Sequence, residues 1–343
     1  MSGADERALL CCAGGGIGDS LLASVVARAL RGRFRRVDAL TLPHHRAALT
    51  RVPDLDDVVA DEGEPPHVLA ARLRERTYAA AVVTWATARV ARAIHAAEIP
   101  IRVGQARRLY SWRFTHRVRV RSEDGDVTTH WTQILLDYAR ALGCDTRDTT
   151  PRFEPTAADE AAARAVRERH GLEAGGFVVV HPTNAIAPRR GIWPVEGWIA
   201  LVRALATDWG LPVVVSGTGE DAAIVGAISG AAGAISVAGE LEIGAFGAFV
   251  RDARCFVGIT TGTMHVAAAV GTPTVGIFPF QSDVPDRWAP LGPRTAVVRA
   301  SYPCRPGDTK ERCRDYACIA HLDVERVRSA VRALCAVAAE VRP

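Results

Sequence analysis

Short apolar runs alternate with longer amphipathic segments along the whole chain. The clearest example is 257–280, where a buried strand ends at Ile259 and a polar turn follows. A small-residue helix over 265–270 then leads to a second strand over 274–278. Because parallel strands require a crossover of this kind, the pattern predicts parallel sheets with helices packed against them.

This alternation of strands and helices occurs twice. The first series begins with a strand over 9–13, and the second begins with a helix over 162–170. A polar stretch over 145–159, with two prolines, separates the two series and is interpreted as a linker. We therefore predict an α/β protein of two doubly wound domains. The predicted domains are 1–155 and 156–322, followed by a helix over 323–343. For this last helix we consider a path that crosses back to the first domain.

Composition agrees with a globular protein of two domains. The chain has 343 residues, of which 48% are hydrophobic and 23% are charged. A formal net charge of +4 is small for this length and does not indicate a nucleic-acid partner. No apolar run reaches the length of a transmembrane segment, and the first residues lack the pattern of a signal peptide. We therefore expect a cytoplasmic location, with the eight cysteines mostly reduced.

A glycine-rich turn over 14–20 follows the first strand and precedes a helix over 21–30. Dense glycines allow backbone to approach a ligand closely. The turn lacks the third glycine of a dinucleotide-binding fingerprint and ends in Asp19, a carboxylate that would repel a pyrophosphate. Asp19 suits a group that accepts a proton or binds a sugar hydroxyl. The alternative is that Asp19 only caps the helix.

A second polar turn, Thr260-Thr261-Gly262-Thr263, precedes the small-residue helix that contains His265. Hydroxyl groups and unpaired backbone N–H groups at a helix N-terminus favour an anion such as a phosphate. The alternative is ordinary capping by hydroxyl side chains.

Three other segments are of interest. The turn over 84–87 follows a predicted strand, so it is expected to face a ligand cleft. The basic and aromatic segment 105–121 is interpreted as an acceptor-binding or lipid-facing segment, or as a solvated loop. His44, His45 and Arg46 are predicted to form a solvated loop, with a phosphate or metal site as the alternative.

Four stretches occur in an order and spacing that resemble glycosyltransferase family 9, the heptosyltransferases of bacterial lipopolysaccharide assembly. They are Gly16-Ile17-Gly18-Asp19; His181-Pro182-Thr183 followed by Trp193-Pro194; Ser216-Gly217-Thr218-Gly219-Glu220; and Thr261-Gly262-Thr263-Met264-His265 with Ala267-Ala268-Ala269 and Gly271-Thr272-Pro273. The resemblance covers nearly the whole chain. It implies a GT-B architecture, in which two Rossmann-like domains face each other across a cleft. The N-terminal domain is then expected to bind the acceptor, and the C-terminal domain a nucleotide sugar, usually ADP-heptose.

The resemblance also implies roles for individual residues. Asp19 matches the general base, which takes the proton of the acceptor hydroxyl during inverting transfer. Thr183 matches a position near the phosphates, and Glu220 matches the acidic residue at the donor ribose. The loop that contains His265 matches the loop that binds the diphosphate. The predicted substrate-binding set is Gly16, Gly18, Thr183, Asn184, Arg189, Arg190, Glu220, Thr260, Thr261, Gly262, Thr263 and His265, and no metal or other cofactor is expected.

The chain departs from the family pattern at two places. Thr260 stands where the family usually has an aspartate, which leaves the identity of the donor sugar open. The family's lysine before Trp193 is absent, and we predict that Arg189 or Arg190 contacts the phosphate instead.

Three cysteines, Cys304, Cys313 and Cys318, lie in a segment that contains cysteines in many relatives. Their loose spacing favours a buried cluster of reduced thiols. A zinc or iron site that includes His321 is the alternative.

Together, these features predict an inverting, metal-independent glycosyltransferase. It is expected to move a sugar, a heptose, from ADP to a hydroxyl acceptor such as a lipopolysaccharide core, a glycoprotein or a small natural product. Two alternatives stay open at this point: a nucleotide-sugar epimerase or hydrolase of the same fold, and a non-catalytic nucleotide-sugar-binding module.

Overall fold

The chain divides into two compact units, Met1–Arg152 and Phe153–Pro343. A computed structural model describes residues 6–183, 193–278, 280, 284–303, 305, 313 and 316–336. Each unit contains a six-stranded parallel sheet with helices, which confirms the predicted α/β class. None of the described helices is long and apolar enough to cross a membrane.

The sheet of the first unit has the strand order β3-β2-β1-β4-β5-β6, the doubly wound order of a Rossmann-like fold. Its strands are β1 (Arg7–Cys11), β2 (Arg36–Thr41), β3 (Asp57–Ala60), β4 (Tyr78–Val83), β5 (Ile101–Gln105) and β6 (His116–Val118). Its helices are α1 (Ile17–Leu30), α2 (Pro43–Leu49), α3 (Pro66–Arg74), α4 (Ala88–Ala96) and α5 (Trp131–Arg140). The central strand β1 is almost wholly buried, as expected for a parallel sheet covered on both faces.

The second unit repeats this topology. Its order is β12-β11-β10-β7-β8-β9, so the first and fourth strands of each unit lie side by side at the centre of the sheet. The strands are β7 (Val178–His181), β8 (Val213–Val215), β9 (Ile235–Ser236), β10 (Cys255–Ile259), β11 (Thr274–Phe278) and β12 (Thr295–Arg299). The helices are α6 (Ala157–Arg169), α7 (Val195–Trp209), α8 (Ala222–Ala232), α9 (Ile243–Arg251), α10 (Gly262–Ala269), α11 (Pro285–Trp288), α12 (Ala317–Ala320) and α13 (Val324–Ala336).

The last helix, α13, packs within the second unit. Val327 and Val331 belong to the buried core of that unit. Arg328 and Arg332 both donate to the carboxylate of Asp208 on α7, and these bonds lower the pKa of Asp208. A return of the segment to the first unit stays a prediction.

The boundaries of several elements differ from the sequence-based predictions. Helix α6 begins inside the predicted linker, because Thr156 and Asp159 form a reciprocal cap with bonds of 2.7 to 3.2 Å. Strands β3, β6 and β12 were not predicted. They are short or only partly buried, so their apolar pattern is weak.

Candidate functional site

In the first unit, the glycine-rich turn joins β1 to α1. Gly16 is the N-cap residue of α1, and its backbone N–H donates to Oδ2 of the half-buried Asp19 at 2.7 Å. Gly15 adopts a φ of +68°, and a Cβ there would lie 2.5 Å from the same carboxylate oxygen. This position therefore requires glycine for two reasons, its left-handed backbone and its closeness to Asp19. The capping interpretation of Asp19 is confirmed, and its role as a base stays a proposal.

The indole ring of Trp85 covers the same turn. A Cβ at Gly14 would lie 2.0 Å from ring atoms Cδ1 and Nε1 of Trp85. The backbone N–H of Trp85 donates to Cys11 at the end of β1, and Trp85 is 39% exposed. A flat, partly exposed apolar surface therefore lies beside the turn that ends in Asp19.

Behind the turn, Ser20 and His45 form a buried polar pair. The Ser20 hydroxyl lies 3.0 Å from Nδ1 of His45 and 3.2 Å from the carbonyl oxygen of Cys12. Burial lowers the pKa of His45 to about 4, so the ring is neutral at pH 7. The prediction of a solvated loop over 44–46 was wrong, because Pro43 begins helix α2 and this helix turns His45 inward. His45 thereby connects α2 to the first turn of α1.

In the second unit, helix α10 starts directly after the polar turn that follows β10. Thr261 is its N-cap residue, and the hydroxyl groups of Thr261 and Thr263 lie 2.7 Å apart. The helix begins three residues earlier than its apolar pattern predicts, so Gly262 and Thr263 belong to its first turn. The backbone N–H groups of this turn have no partner within the helix, and His265 is buried beside them.

The strand beside β10 ends in His181. In the register of the two strands, His181 lies opposite Gly258. Its Nδ1 atom is 3.0 Å from the hydroxyl oxygen of Ser216, and burial lowers the pKa of His181 to about 4. Thr183 follows two residues later and is buried. A neutral histidine therefore connects the ends of β7 and β8, next to the turn that begins α10.

The turn after β8 supplies an exposed carboxylate. Asp221 accepts bonds from the backbone N–H and the hydroxyl of Thr218 at 2.8 and 2.7 Å, so it holds the turn closed. Glu220 is exposed, and within the described part of the chain it forms no hydrogen bond or ion pair. Asp221 therefore has a structural role, whereas Glu220 is accessible to a ligand.

The structure brings three predicted site segments of the second unit together. Strands β8, β7 and β10 are neighbours in the sheet, and the segments that contain Glu220, Thr183 and Thr260 follow them directly. Carboxyl ends of adjacent parallel strands are where α/β sheets bind ligands. The other predicted residues, Gly16, Gly18 and Asp19, lie together in the first unit.

Some predicted residues lie outside the described part of the chain. They are Asn184, Arg189, Arg190 and Cys304, and their assignments stay predictions. Cys318 is buried and Cys313 is half-buried, and the ring of His321 stacks on Tyr302 with 4.7 Å between centroids. Across the described residues, no group of three or more His, Cys, Asp or Glu side chains is arranged to hold a metal ion.

Comparisons with known proteins agree with this arrangement. The family model described as glycosyltransferase family 9 (heptosyltransferase) matches residues 67–317. A family 9 glycosyltransferase from Veillonella parvula is 17% identical, with a TM-score of 0.83 and coverage of 97% of this chain and 98% of that one. E. coli ADP-heptose lps heptosyltransferase II is 19% identical, with a TM-score of 0.78 and coverage of 97% and 99%.

A third solved structure, E. coli heptosyltransferase WaaC with ADP, is 15% identical, with a TM-score of 0.71 and coverage of 95% and 99%. At these identities the structural matches show a shared fold. The comparison with curated proteins finds no match. Because the family model covers most of the chain, the chain belongs to glycosyltransferase family 9 and is a sugar-transferring enzyme.

Proposed function

We propose that this enzyme is an inverting heptosyltransferase that uses an ADP-activated donor, a hydroxyl acceptor and no divalent metal. The observation that carries the proposal is the alignment of three polar turns at the ends of β8, β7 and β10, next to the N-terminus of α10. Two of the similar E. coli structures, an ADP-heptose heptosyltransferase and a heptosyltransferase with ADP, support ADP-heptose as the donor.

In this proposal, the second unit binds the nucleotide diphosphate. The first-turn N–H groups of α10 and the hydroxyls of Thr261 and Thr263 donate to the phosphate oxygens. The same donors stabilise the negative charge that develops on ADP as it departs. The exposed carboxylate of Glu220 accepts hydrogen bonds from the ribose hydroxyls. These contacts supply hydrogen-bond donors at the phosphates and an acceptor at the ribose, as a nucleotide diphosphate requires.

In this mechanism, Asp19 of the first unit is the general base. The acceptor oxygen attacks the anomeric carbon from the face opposite the diphosphate, and Asp19 takes the hydroxyl proton. One carbon–oxygen bond forms while the bond from the anomeric carbon to the diphosphate oxygen breaks, so the configuration inverts. The cap bond to Gly16 supports this role, because it holds the carboxylate in one orientation on a turn that a ligand can approach.

The exposed face of Trp85 favours an acceptor that has a flat, weakly polar face beside its reacting hydroxyl. Both sugar rings and aromatic rings have such a face, so a saccharide and a small natural product both fit. Thr260, in place of the usual aspartate, affects the donor side of the reaction. It removes a carboxylate that the family usually has near the donor sugar.

A thermal-shift panel of ADP, UDP, GDP and their sugar conjugates tests the donor assignment. Stabilisation increases with ligand concentration over the dissociation constant, so the preferred nucleotide gives the largest shift at equal concentration. We expect ADP to exceed UDP and GDP, and the opposite ranking would contradict the proposal. Product analysis of ADP-heptose with and without an acceptor tests the reaction. Consumption of the donor at the same rate in both samples would instead favour an epimerase or hydrolase.

A further inference from the structure

An exposed apolar and basic patch lies on the first unit, and none of its residues has a role in the proposed sugar transfer. We call it the Trp112 patch and define it as Leu109, Trp112 and Arg113 from the turn after β5, with Arg92 and His95 from α4. Leu109 is 100% exposed and Trp112 is 58% exposed, the two largest values among the large hydrophobic residues described. Single exposed apolar side chains are common on proteins, whereas apolar side chains grouped within a polar or basic rim mark interaction surfaces.

The exposure does not come from a poorly packed loop. Tyr110 donates its hydroxyl to the carbonyl of Ala86 at 2.6 Å, and Ser111 donates to the carbonyl of Gln105 at 2.6 Å. Phe114 is buried in the core of the first unit. Three residues of the turn therefore point inward and hold it in place. On the outside of the turn, Leu109 and Trp112 are exposed and Arg113 is half-buried.

Basic residues lie beside the exposed ring of Trp112. The guanidinium of Arg113 lies 4.1 Å from the ring centroid of Trp112, and the ring of His95 lies 5.5 Å from it. Arg92 is one turn before His95 on the same exposed face of α4. Within the described part of the chain, neither Arg92 nor Arg113 forms an ion pair.

The acidic residues of the neighbouring turn do not neutralise this charge. Glu123 is paired with Arg108 at 2.5 Å, and Asp124 is paired with Arg107 at 2.6 Å. The Trp112 patch therefore combines a tryptophan, a leucine and two arginines without acidic partners. This combination of residue types is typical of protein surfaces that lie at membrane–water interfaces.

We infer that the Trp112 patch docks the enzyme on the surface of an anionic lipid bilayer. Leu109 and Trp112 enter the boundary between headgroups and acyl chains, while Arg92 and Arg113 bind the negative headgroups. A protein partner is a poorer match, since specific protein interfaces bury about 800 Å² on each side and two exposed apolar side chains supply a small part of that. The inference does not depend on which sugar or acceptor the enzyme uses.

Co-sedimentation of the full-length protein with lipid vesicles tests this inference. One vesicle preparation contains phosphatidylcholine alone, and the other also contains phosphatidylglycerol as the anionic lipid. We expect binding to the anionic vesicles at about 0.05 M salt and loss of most binding at about 0.5 M salt, because salt screens the attraction. Little binding to neutral vesicles is expected under either condition.

Two double variants locate the binding surface. Leu109→Ser with Trp112→Ser and Arg92→Glu with Arg113→Glu should each weaken binding to anionic vesicles by about tenfold or more. Matched controls change an exposed valine and an exposed arginine of the second unit, Val297→Ser and Arg164→Glu, and should bind like the wild type.

The inference would be overturned by a lack of wild-type binding to anionic vesicles, or by equal binding of the wild type and both double variants. A concentration-dependent dimer that the double variants abolish, without vesicle binding, would also overturn it. Thermal unfolding with and without ADP shows whether each variant is folded. Since vesicle binding is measured without nucleotide, its failure is distinguishable from a failure of the proposed donor site.

Discussion

The carboxylate of Asp19 accepts the backbone N–H of Gly16 at 2.7 Å, across the first turn of α1. The bond satisfies one of the donors that every helix leaves unpaired at its start. It also limits the rotation of the carboxylate, as a positioned base requires. The capping and catalytic interpretations of Asp19 are therefore compatible, because a carboxylate has several acceptor positions.

Replacing Asp19 by asparagine tests the base. Asparagine keeps an oxygen that accepts the Gly16 N–H, so the stability loss should stay below about 1 kcal/mol. The rate of sugar transfer should fall by about 10²- to 10⁴-fold, the usual contribution of a general base. ADP binding, measured by thermal shift, should not change, because the proposed donor contacts belong to the second unit.

A matched control for this variant is Asp126→Asn. Asp126 also accepts backbone N–H groups, from Thr128 at 3.0 Å and Thr129 at 2.9 Å, but it lies in an exposed turn. Its substitution should leave the transfer rate near the wild-type value. Full activity of the Asp19 variant at neutral pH would contradict the assignment of the base.

Gly15→Ala tests whether the glycine turn controls the position of Asp19. Alanine at a φ of +68° costs about 1–2 kcal/mol, and its Cβ would also meet the Asp19 carboxylate at 2.5 Å. Gly143→Ala is the control, since it has a φ of +73° and nothing within 4 Å of the added atom. Urea denaturation should show a larger loss of stability for Gly15→Ala, and the transfer assay a loss of activity for that variant alone. Equal effects of the two substitutions would show that Gly15 does not control the position of Asp19.

Thr261→Val tests the proposed diphosphate site. Valine keeps the shape of threonine but removes the hydroxyl that lies 2.7 Å from that of Thr263. A hydrogen bond to a charged group contributes about 1.5–3 kcal/mol, so the affinity for ADP should fall by roughly 10- to 100-fold. Thr207→Val removes an exposed hydroxyl of α7 and should bind ADP normally. Calorimetric titration with ADP measures both, and unchanged affinity of the Thr261 variant would exclude a direct phosphate contact.

The free energy of unfolding should depend on pH because two histidines are buried. The pKa values of His45 and His181 are lowered from 6.5 to about 4 by burial. Between these pH values the unfolded chain binds more protons than the native chain. The contribution of each histidine to the free energy of unfolding is therefore fully present above about pH 6.5. It is lost as the pH falls towards 4, and the loss is up to about 3 kcal/mol for each histidine.

Urea denaturation at several pH values between about 7 and 4.5 measures this effect. His181→Asn keeps a polar atom near the hydroxyl of Ser216 and removes one of the two titrating rings, so the decrease in stability should become shallower. His67→Asn changes an exposed histidine and leaves both buried rings in place. An unchanged slope in the His181 variant would show that this ring does not titrate as described.

The sequence alone determined the α/β class and the unit β10–α10–β11. The limits of both strands in that unit agree with the apolar pattern, because periodicity over five residues and the following glycine and hydroxyl residues are local signals. The glycine turn before Asp19 was identified for the same reason. Positions that require glycine or a cap are specified by a few adjacent residues.

Only the tertiary structure decided which of these segments lie together. The order β8-β7-β10 places Glu220, Thr183 and Thr261 after neighbouring strands, although long stretches of chain separate them in sequence. In the same way, Trp85 covers Gly14, and His45 is buried against Ser20. Pairing between distant strands depends on hydrogen bonds and core packing formed across the whole domain, and no local pattern of hydrophobic and polar residues specifies them.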